Sequence, residues 1–409
     1  MAKVQRIAVI GEGYVGLPLS IAAAESGLQV TGIDIDQRKI ESIQAFNSPV
    51  EDITDQRIQV ATSSGKFSAT SDFANVSDAE VVVICVPTPL DGKLEPDLMA
   101  LKGAVNSVVP FLKEGTLLIS ESTSFPGTLR NVIMPLVREK HSGDFSKLYF
   151  ASAPERVNPG DLKWDIKNTP RLVGGIDAKS TEIAKDFYSN FCTEVVLTET
   201  PEVAEAAKIL ENTFRLVNIA LLNELNKVFS ANGIDTNAVV DAASTKPYGY
   251  MPFRSGVGIG GHCIPVDPLY LTWWARQNGS ESKLVELADS VSRSMPKFVA
   301  EKAISIAKSE VKKVLVLGVA YKPGVADTRE TPVLELVNHL KSLGKEVAWH
   351  DPLVTEWNGS NGVDIDWECQ VAILATNQPG IDIAGLLSAG IPVLDCTNTH
   401  RGRAGVISL

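Results

Sequence analysis

The densest chemistry in this chain lies at Gly258-Ile259-Gly260-Gly261-His262-Cys263-Ile264-Pro265-Val266-Asp267-Pro268. A cysteine behind a run of glycines can be approached closely by a substrate. A thiolate beside an aldehyde captures it as a thiohemiacetal. Oxidation of that adduct gives a thioester, which water cleaves to an acid, so a covalent route splits one hard oxidation into easier steps. The thiolate is the reactive form and needs a depressed pKa or a nearby base. A lone cysteine is more often a buried structural residue. Cys85 and Cys396, each at the end of a strand-like run, fit that reading, and Cys192 and Cys369 have no supporting context. Cys263 differs in its glycine-rich approach and in the acid four residues on. His262 could be a base or a zinc ligand. With no second His or Cys at ligand spacing it is read as positioning or structural, and no metal is expected.

The second signal opens the chain. Ile7 to Ile10 leads into Gly11-Glu12-Gly13-Tyr14-Val15-Gly16 and then a helical pattern. In such a loop the first glycine permits a tight turn, the second admits a pyrophosphate, and the third lets helix and strand pack closely. The helix N-terminus offers oriented N–H donors. Asp34 ends the next strand-like run at the distance where an acid meets ribose hydroxyls. Its charge would repel a 2′-phosphate, so NAD is preferred to NADP. Asp36 competes with Asp34, its alternative being a solvated turn residue.

Positioning these groups requires a scaffold of alternating short apolar runs and longer amphipathic stretches. Arg6–Ile10, Val30–Ile33, Val81–Val86, Thr116–Ser120 and Leu148–Ala151 read as strands, and Leu17–Ser26 as a helix. Continuous Val/Ile/Leu runs between helices predict a parallel sheet covered on both faces, a doubly wound α/β domain. Pro201 to Ala231 has helical periodicity without internal Pro or Gly. It would span roughly 45 Å, long enough to bridge domains or to form a subunit interface. A second helix, Lys283 to Ser309, follows. Strand-like runs resume at Val314–Gly318, Val347–His350, Val371–Ala375 and Val393–Asp395, with GVAYKPG where a second glycine fingerprint would stand. Two α/β halves with different loops at matching places imply two ligand sites with different tasks.

Composition agrees with a two-cored globular protein: 409 residues, 44% hydrophobic, 21% charged, net charge −11. That balance excludes a disordered chain and gives no basic stripe for nucleic acid. Five scattered cysteines without a C-x-x-C pair point to a reducing compartment. No run reaches the roughly 18 apolar residues of a membrane span, and a cytoplasmic location is expected.

Seven blocks, in order, carry a resemblance: GEGYVGLPL, CVPTP at Cys85–Pro89, EST at Glu121–Thr123, APERVNPG at Ala153–Gly160, AKILENTFR at Ala207–Arg215, GIGGHCIPVDPLYL from Gly258, and GVAYKPGVADTRETP from Gly318. The chain closely resembles the UDP-glucose/GDP-mannose dehydrogenase family over essentially its whole length. The resemblance implies three parts: an NAD-binding Rossmann domain over 1–195, a central helical dimerisation region carrying the cysteine loop over 196–300, and a UDP-sugar-binding α/β domain over 301–409. It implies a homodimer through the long helix, and oxidation of a UDP-sugar C6 alcohol to the carboxylate with two NAD+. The roles it implies are Cys263 as nucleophile and Lys208 with Asn212 as the pair that stabilises the oxyanion. Their spacing of four places both on one helix face, although a solvated helix cation is the commoner fate of a lysine. Asp267 resembles the carboxylate that, with Lys208, orders the hydrolytic water, its alternative being a cap or turn residue before Pro268. Thr123 resembles the hydroxyl that holds that water, and Glu155 the general base. Some relatives carry a further Glu just after it, where this chain has Asn158-Pro159. Cofactor contacts are implied at Gly11, Gly13, Tyr14, Val15, Gly16, Asp34, Pro87, Thr88 and Thr123. Substrate contacts are implied at Arg156, Lys208, Asn212, Arg254, Gly260, Lys322 and Arg329.

The stretch SPVEDI at Ser48–Ile53 and His262 and Val266 around the cysteine resemble the N-acetylhexosamine branch. UDP-N-acetylglucosamine is favoured, UDP-N-acetylmannosamine comes next, and UDP-glucose or GDP-mannose lies behind them, with a role in polysaccharide precursor synthesis. Two competing readings remain. A two-electron hydroxy-acid-type dehydrogenase shares the glycine loop and a Lys/Asn helix pair but needs no cysteine loop. A regulatory nucleotide-binding module would have no use for Cys263, Lys208, Asn212 and Asp267.

Overall fold

The computed structural model describes residues 4–157 and 163–409. The chain divides into two compact units. The first runs to Glu211 and includes Trp273–Asn278, and the second comprises Asn212–Thr272 and Gly279–Leu409. The division falls inside the helix Pro201–Ala231.

The first unit is built on eight strands: β1 Arg6–Ile10, β2 Gln29–Ile33, β3 Phe67–Thr70, β4 Val81–Ile84, β5 Leu117–Ser120, β6 Tyr149–Ser152, β7 Arg171–Gly175 and β8 Val195–Leu197. Their order is β3-β2-β1-β4-β5-β6-β7-β8. All neighbours are parallel except β6 and β7. Successive side chains leave opposite faces, and both faces are covered. Ile7, Val9, Val81 and Val83 enter one core layer, while Ala8, Ile10, Val82 and Ile84 enter the other. Each fully buried Val or Ile contributes roughly 1.5–3 kcal/mol. The alternating register thus makes these strands nearly all apolar. Strand order reverses between β1 and β4, the place where sheets of this kind bind ligands. The sequence reading located β1, β2, β4, β5 and β6. It did not name β3, β7 and β8, which are short or carry Ser, Gly and Arg.

The second unit holds β9 Lys313–Leu317, β10 Glu346–His350, a hairpin of β11 Glu356–Trp357 and β12 Ser360–Asn361, then β13 Val371–Leu374, β14 Val393–Asp395 and β15 Val406–Ser408. Its sheet is fully parallel with order β10-β9-β13-β14-β15. Helices Lys283–Ser305 and Val333–Ser342 cover one face through Met295, Val299, Leu336 and Leu340. The first of these stops four residues short of Ser309, because Ile306 turns to cap it and packs back on that core. Among the described residues no helix is long and apolar enough to cross a membrane.

One buried acid sits under the first crossover. The Glu12 side chain lies against Gly32, where a Cβ would come 2.6 Å from its carboxyl carbon. Ser20 Oγ donates to its Oε1 at 2.9 Å, while Oε2 has no hydrogen-bond partner. Burial pushes this carboxyl up to about 8. Between the ordinary glutamate value and about 8 the folded chain keeps a proton that the unfolded chain has released, so stability falls as pH rises through that window. Glu12→Gln is therefore expected to raise the Tm at about pH 9 and to leave it unchanged near pH 4. The gain should be about 2–4 °C per kcal/mol relieved, read by thermal unfolding at the two pH values.

Candidate active site

In the first unit the three loop glycines occupy three different environments. Gly11 has φ +97°, and a Cβ there would lie 2.6 Å from the Cys85 carbonyl oxygen. At Gly16 a Cβ would collide with the Gly11 carbonyl oxygen. At Gly13 it would meet nothing within 4 Å, so the space over that backbone is open to a ligand. Val15 caps the helix Gly16–Glu25 without a side-chain hydrogen bond, and Leu17 N turns back to donate to the Gly13 carbonyl at 3.1 Å. Asp34 follows β2 and is nearly buried. Its Oδ2 accepts from Glu12 N at 2.8 Å and from Lys39 Nζ at 2.5 Å, and its Oδ1 from Asp36 N at 2.9 Å. Asp36 instead caps the helix Gln37–Gln44 and pairs with exposed Arg38. Tyr14 and the SPVEDI turn line one surface recess.

The ends of β4 and β5 are laced together, motif against motif. Val86 N donates to Ser122 Oγ at 3.0 Å, Ser122 Oγ donates to Val86 O at 2.7 Å, and Thr88 Oγ1 donates to Thr123 O at 2.6 Å. Pro87 stands exposed between them. The start of the long helix is anchored to this region. Glu205 accepts from Gly127 N and Leu129 N at 2.6 and 3.0 Å, and Glu202 pairs with Arg130. Burial pushes the Glu205 carboxyl up to about 7 against those two bonds. These contacts hold Lys208, one turn on, as a nearly buried residue electrostatically coupled to Glu155. Arg156 does not face open space. It forks onto Glu211, with Nη2 2.7 Å from Oε1, and donates to Pro170 O at 2.8 Å. Asn158, Pro159 and Gly160 of the APERVNPG block lie outside the described residues.

In the second unit the glycines before the cysteine serve packing. A Cβ at Gly260 would lie 2.8–2.9 Å from Pro332, Tyr321 and the Glu330 carbonyl, and one at Gly261 would lie 2.9 Å from the Tyr321 ring. The GIGGHC block therefore docks on the GVAYKPGVADTRETP block, which the sequence reading had not connected. Pro296, inside the helix Lys283–Ser305, has no N–H for the Ser292 carbonyl. Gly258 packs against that carbonyl, and Ile259 N donates to Ser292 Oγ at 3.2 Å. The chain then turns, with Asp267 N donating to Cys263 O at 2.8 Å at the start of the helix Asp267–Gln277. Asp267 is buried and accepts from Asn212 Nδ2 at 2.6 Å. Of the five cysteines four are buried, and Cys263 is exposed. Burial pushes the Cys192 thiol up to about 11 and holds the Cys85 thiol well above its usual range.

The other cations are engaged locally. Arg254 pairs with Asp241 at 2.6 Å and donates to Asn237 Oδ1 at 3.1 Å. Arg329 forks onto Asp327 at 2.6 Å, and Lys322 Nζ lies 5.6 Å from the centre of the Tyr321 ring. Burial, then the Arg329 charge, holds His262 below its usual range, so its imidazole is neutral at neutral pH. Among the described residues no three His, Cys, Asp or Glu side chains gather as a metal site. Sequence reasoning missed Lys39, Arg171, Glu205 and Tyr321. Only Tyr321, inside a motif block, carried a signal that could have found it.

The comparisons decide the assignment. The UDP-glucose/GDP-mannose dehydrogenase family's NAD binding domain matches residues 5–192, its central domain 202–294 and its UDP binding domain 315–382. This chain belongs to the UDP-glucose/GDP-mannose dehydrogenase family. It is similar to a UDP-N-acetyl-D-mannosamine dehydrogenase of Methanocaldococcus jannaschii, 37% identical over 85% of this chain and 79% of the relative. A UDP-N-acetyl-D-glucosamine 6-dehydrogenase of Pseudomonas aeruginosa is 35% identical over 86% and 83%. The solved UDP-D-ManNAc dehydrogenase of Pyrococcus horikoshii superposes with a TM-score of 0.89 at 32% identity, covering 99% and 98%.

As a member of that family the chain is an NAD-dependent nucleotide-sugar dehydrogenase, and the glycine loop fits the cofactor. Open backbone at Gly13, where the helix begins, suits a pyrophosphate, and Asp34 suits a ribose. When bound, NAD+ supplies the electron acceptor for alcohol oxidation. The three glycines separate fold from binding. Gly13→Ala should keep the wild-type Tm and weaken NAD+ binding by about 10-fold or more, as backbone contact is lost. Gly11→Ala should lower the Tm itself, since both φ and space exclude a Cβ. Calorimetric titration with NAD+ beside thermal unfolding distinguishes the two effects.

Proposed function

We propose that this enzyme oxidises the C6 hydroxymethyl group of a UDP-N-acetylhexosamine to the carboxylate through covalent intermediates on Cys263. The observation that carries the reading is the exposure of Cys263 alone among the cysteines, on a turn built by glycines. In balance, R–CH2OH, two NAD+ and water become R–COO−, two NADH and three protons. Cys263 adds to the C6 aldehyde, becomes a thioester in the second oxidation, and is freed when water replaces sulfur at carbon. Lys208 and Asn212 stabilise the oxyanions. Asp267, fixed by Asn212, orders the water together with Lys208, and the Thr123 hydroxyl holds the same water. Arg254, Lys322 and Arg329 are the candidate cations for the diphosphate, each exchanging its present partner for phosphate.

The names of the relatives weight the sugar toward UDP-N-acetylmannosamine, with UDP-N-acetylglucosamine second, reversing the order drawn from sequence. The cytoplasm is the proposed compartment, and polysaccharide precursor synthesis the proposed use. A panel of UDP-N-acetylmannosamine, UDP-N-acetylglucosamine, UDP-glucose and UDP-galactose, followed by NADH absorbance, tests the substrate. Two NADH per acid and no released aldehyde are expected, and one NADH per product sinks the thioester route. Cys263→Ser should lower turnover by about 10³-fold or more while changing NAD+ affinity less than about twofold.

The same reading includes a homodimer. Val203, Leu210, Phe214, Leu221 and Val228 are exposed along the helix Pro201–Ala231 at intervals of seven and four. That is one apolar stripe on a helix face, suited to a second copy. Leu221→Glu is expected to halve the solution mass measured by light scattering, and an unchanged mass argues against this face.

A further inference from the structure

Two carboxylates share one guanidinium inside the first unit. Arg171, the first residue of β7, is buried. Its Nη2 donates to Glu155 Oε2 at 2.5 Å, and its Nη1 lies 3.4 Å from Glu121 Oε2. The guanidinium also rests over the Tyr188 ring. Glu121 directly follows β5, where its backbone N–H donates to Ile84 O at 3.0 Å. The Tyr188 hydroxyl donates to Glu121 Oε1, and the Cys85 thiol lies 3.9 Å from Oε2. Glu155 Oε1 accepts from Arg156 N at 2.6 Å and from Val157 N at 2.7 Å. The Glu155 side chain keeps 12% of its surface exposed and the Glu121 side chain none, so of the two only Glu155 can meet a water molecule.

One positive charge between two carboxylates leaves an excess negative charge, which a buried site relieves by taking up a proton. The donors decide where that proton goes. Glu155 has two backbone N–H groups and the near arm of Arg171, whereas Glu121 has the far arm, a hydroxyl and a thiol. Glu121 is therefore the site of the proton, and burial pushes its carboxyl up to about 7. Burial acts on Glu155 too, but Arg171 and the backbone bonds hold it below the usual range. Tyr188, Cys85 and Cys192 around the cluster are raised by burial and stay neutral near pH 7. Lys208 adds its charge at Glu155, and Glu12, itself pushed up to about 8 by burial, is coupled to Cys85.

We propose that Glu121 is a positioning residue for thioester hydrolysis, dividing Arg171 with Glu155 so that Glu155 stays basic enough to take a proton from the attacking water. The inference rests on the thioester reading above, with Glu155 as its general base. In that step the water oxygen bonds to C6 and the C6–S bond breaks. One water proton passes to Glu155 and on to the departing sulfur, and the other goes to solvent. While Glu121 is ionised, Arg171 is drawn by two carboxylates and holds Glu155 less tightly. Once Glu121 is protonated, the guanidinium charge falls on Glu155 alone and weakens it as a base. Hydrolysis therefore quickens as Glu121 releases its proton near neutral pH. Because Glu155 acts on the water, the effect belongs to hydrolysis and not to NADH formation.

The test uses the full-length enzyme in excess over its UDP-sugar, with saturating NAD+. NADH absorbance follows oxidation, and intact mass of acid-quenched protein follows the acyl adduct on Cys263. In the wild type, adduct decay should accelerate from about pH 6 to about pH 8. Glu121→Gln keeps the shape of the side chain but cannot ionise. It should lose that rise, slow adduct decay at about pH 8 by about threefold or more, and leave NADH formation within about twofold of wild type. Tyr188→Phe removes a donor that stabilises ionised Glu121, so the rise should move to higher pH. A merely structural role would lower the Tm and leave the shape of the profile alone. Wild-type adduct decay in Glu121→Gln at every pH overturns the proposal, as does an equal slowing of NADH formation. If Glu121→Gln does not fold, Tyr188→Phe decides, and an unmoved rise overturns the proposal. Glu155→Gln separates this inference from the reading beneath it. Adduct decay at the wild-type rate in that variant defeats the general-base reading. Adduct accumulating there, beside an unchanged profile in Glu121→Gln, defeats only this inference.

Discussion

Where β1 gives way to its helix, the chain passes so close to the end of β4 that Gly11 has no room for a Cβ against the Cys85 carbonyl. The second unit meets the same constraint. A Cβ on Gly318, at the end of β9, would strike the Thr376 carbonyl just past β13. The hydrogen bonds repeat too. Gly11 N donates to Ile33 O at 2.7 Å and Gly318 N to His350 O at 2.8 Å. The next residue donates to Asp34 in one unit and to Asp351 in the other, at 2.8 and 2.9 Å. Both crossovers sit where strand order reverses, which is where a nucleotide lodges in such sheets. This explains why GVAYKPG stands in the second unit without a full fingerprint. Only the first glycine is required by the sheet. Gly16 answers to helix packing, and Gly13 leaves the backbone open.

Several of the sequence blocks turn out to be halves of contacts. Val86 and Thr88 of CVPTP close on Ser122 and Thr123 of EST. The glycines of GIGGHC close on Tyr321 and Pro332 of the following block. Asn212 of the long helix closes on Asp267. Thr123, Asn212 and Asp267 are each held by a partner from another block, which is how such side chains acquire fixed positions.

Charge placement follows the same logic. A chain of net charge −11 that handles a diphosphate needs its cations local and restrained. Lys39 sits on Asp34, Arg254 on Asp241, Arg329 on Asp327 and Arg171 on Glu155. Most of these pairs are partly exposed and contribute little to stability. The Arg171 cluster is buried, with the guanidinium held between Glu155 and Glu121.

Local sequence by itself determined the strands with continuous Val and Ile, the limits of the long helix Pro201–Ala231, the glycine loop and the cysteine turn. Periodicity and backbone conformation are properties of neighbouring residues, so they can be read from neighbours. The short polar strands β3 and β7 escaped because Ser, Gly and Arg interrupt the apolar run. Tertiary structure alone decided which cysteine is exposed, that Asp34 and not Asp36 meets the loop, that Arg156 is spent on Glu211, and that Arg171 grips Glu155. Those outcomes depend on pairs such as Asn212 and Asp267, 55 residues apart. Spacing carries no information about such pairs until the sheet brings their segments together.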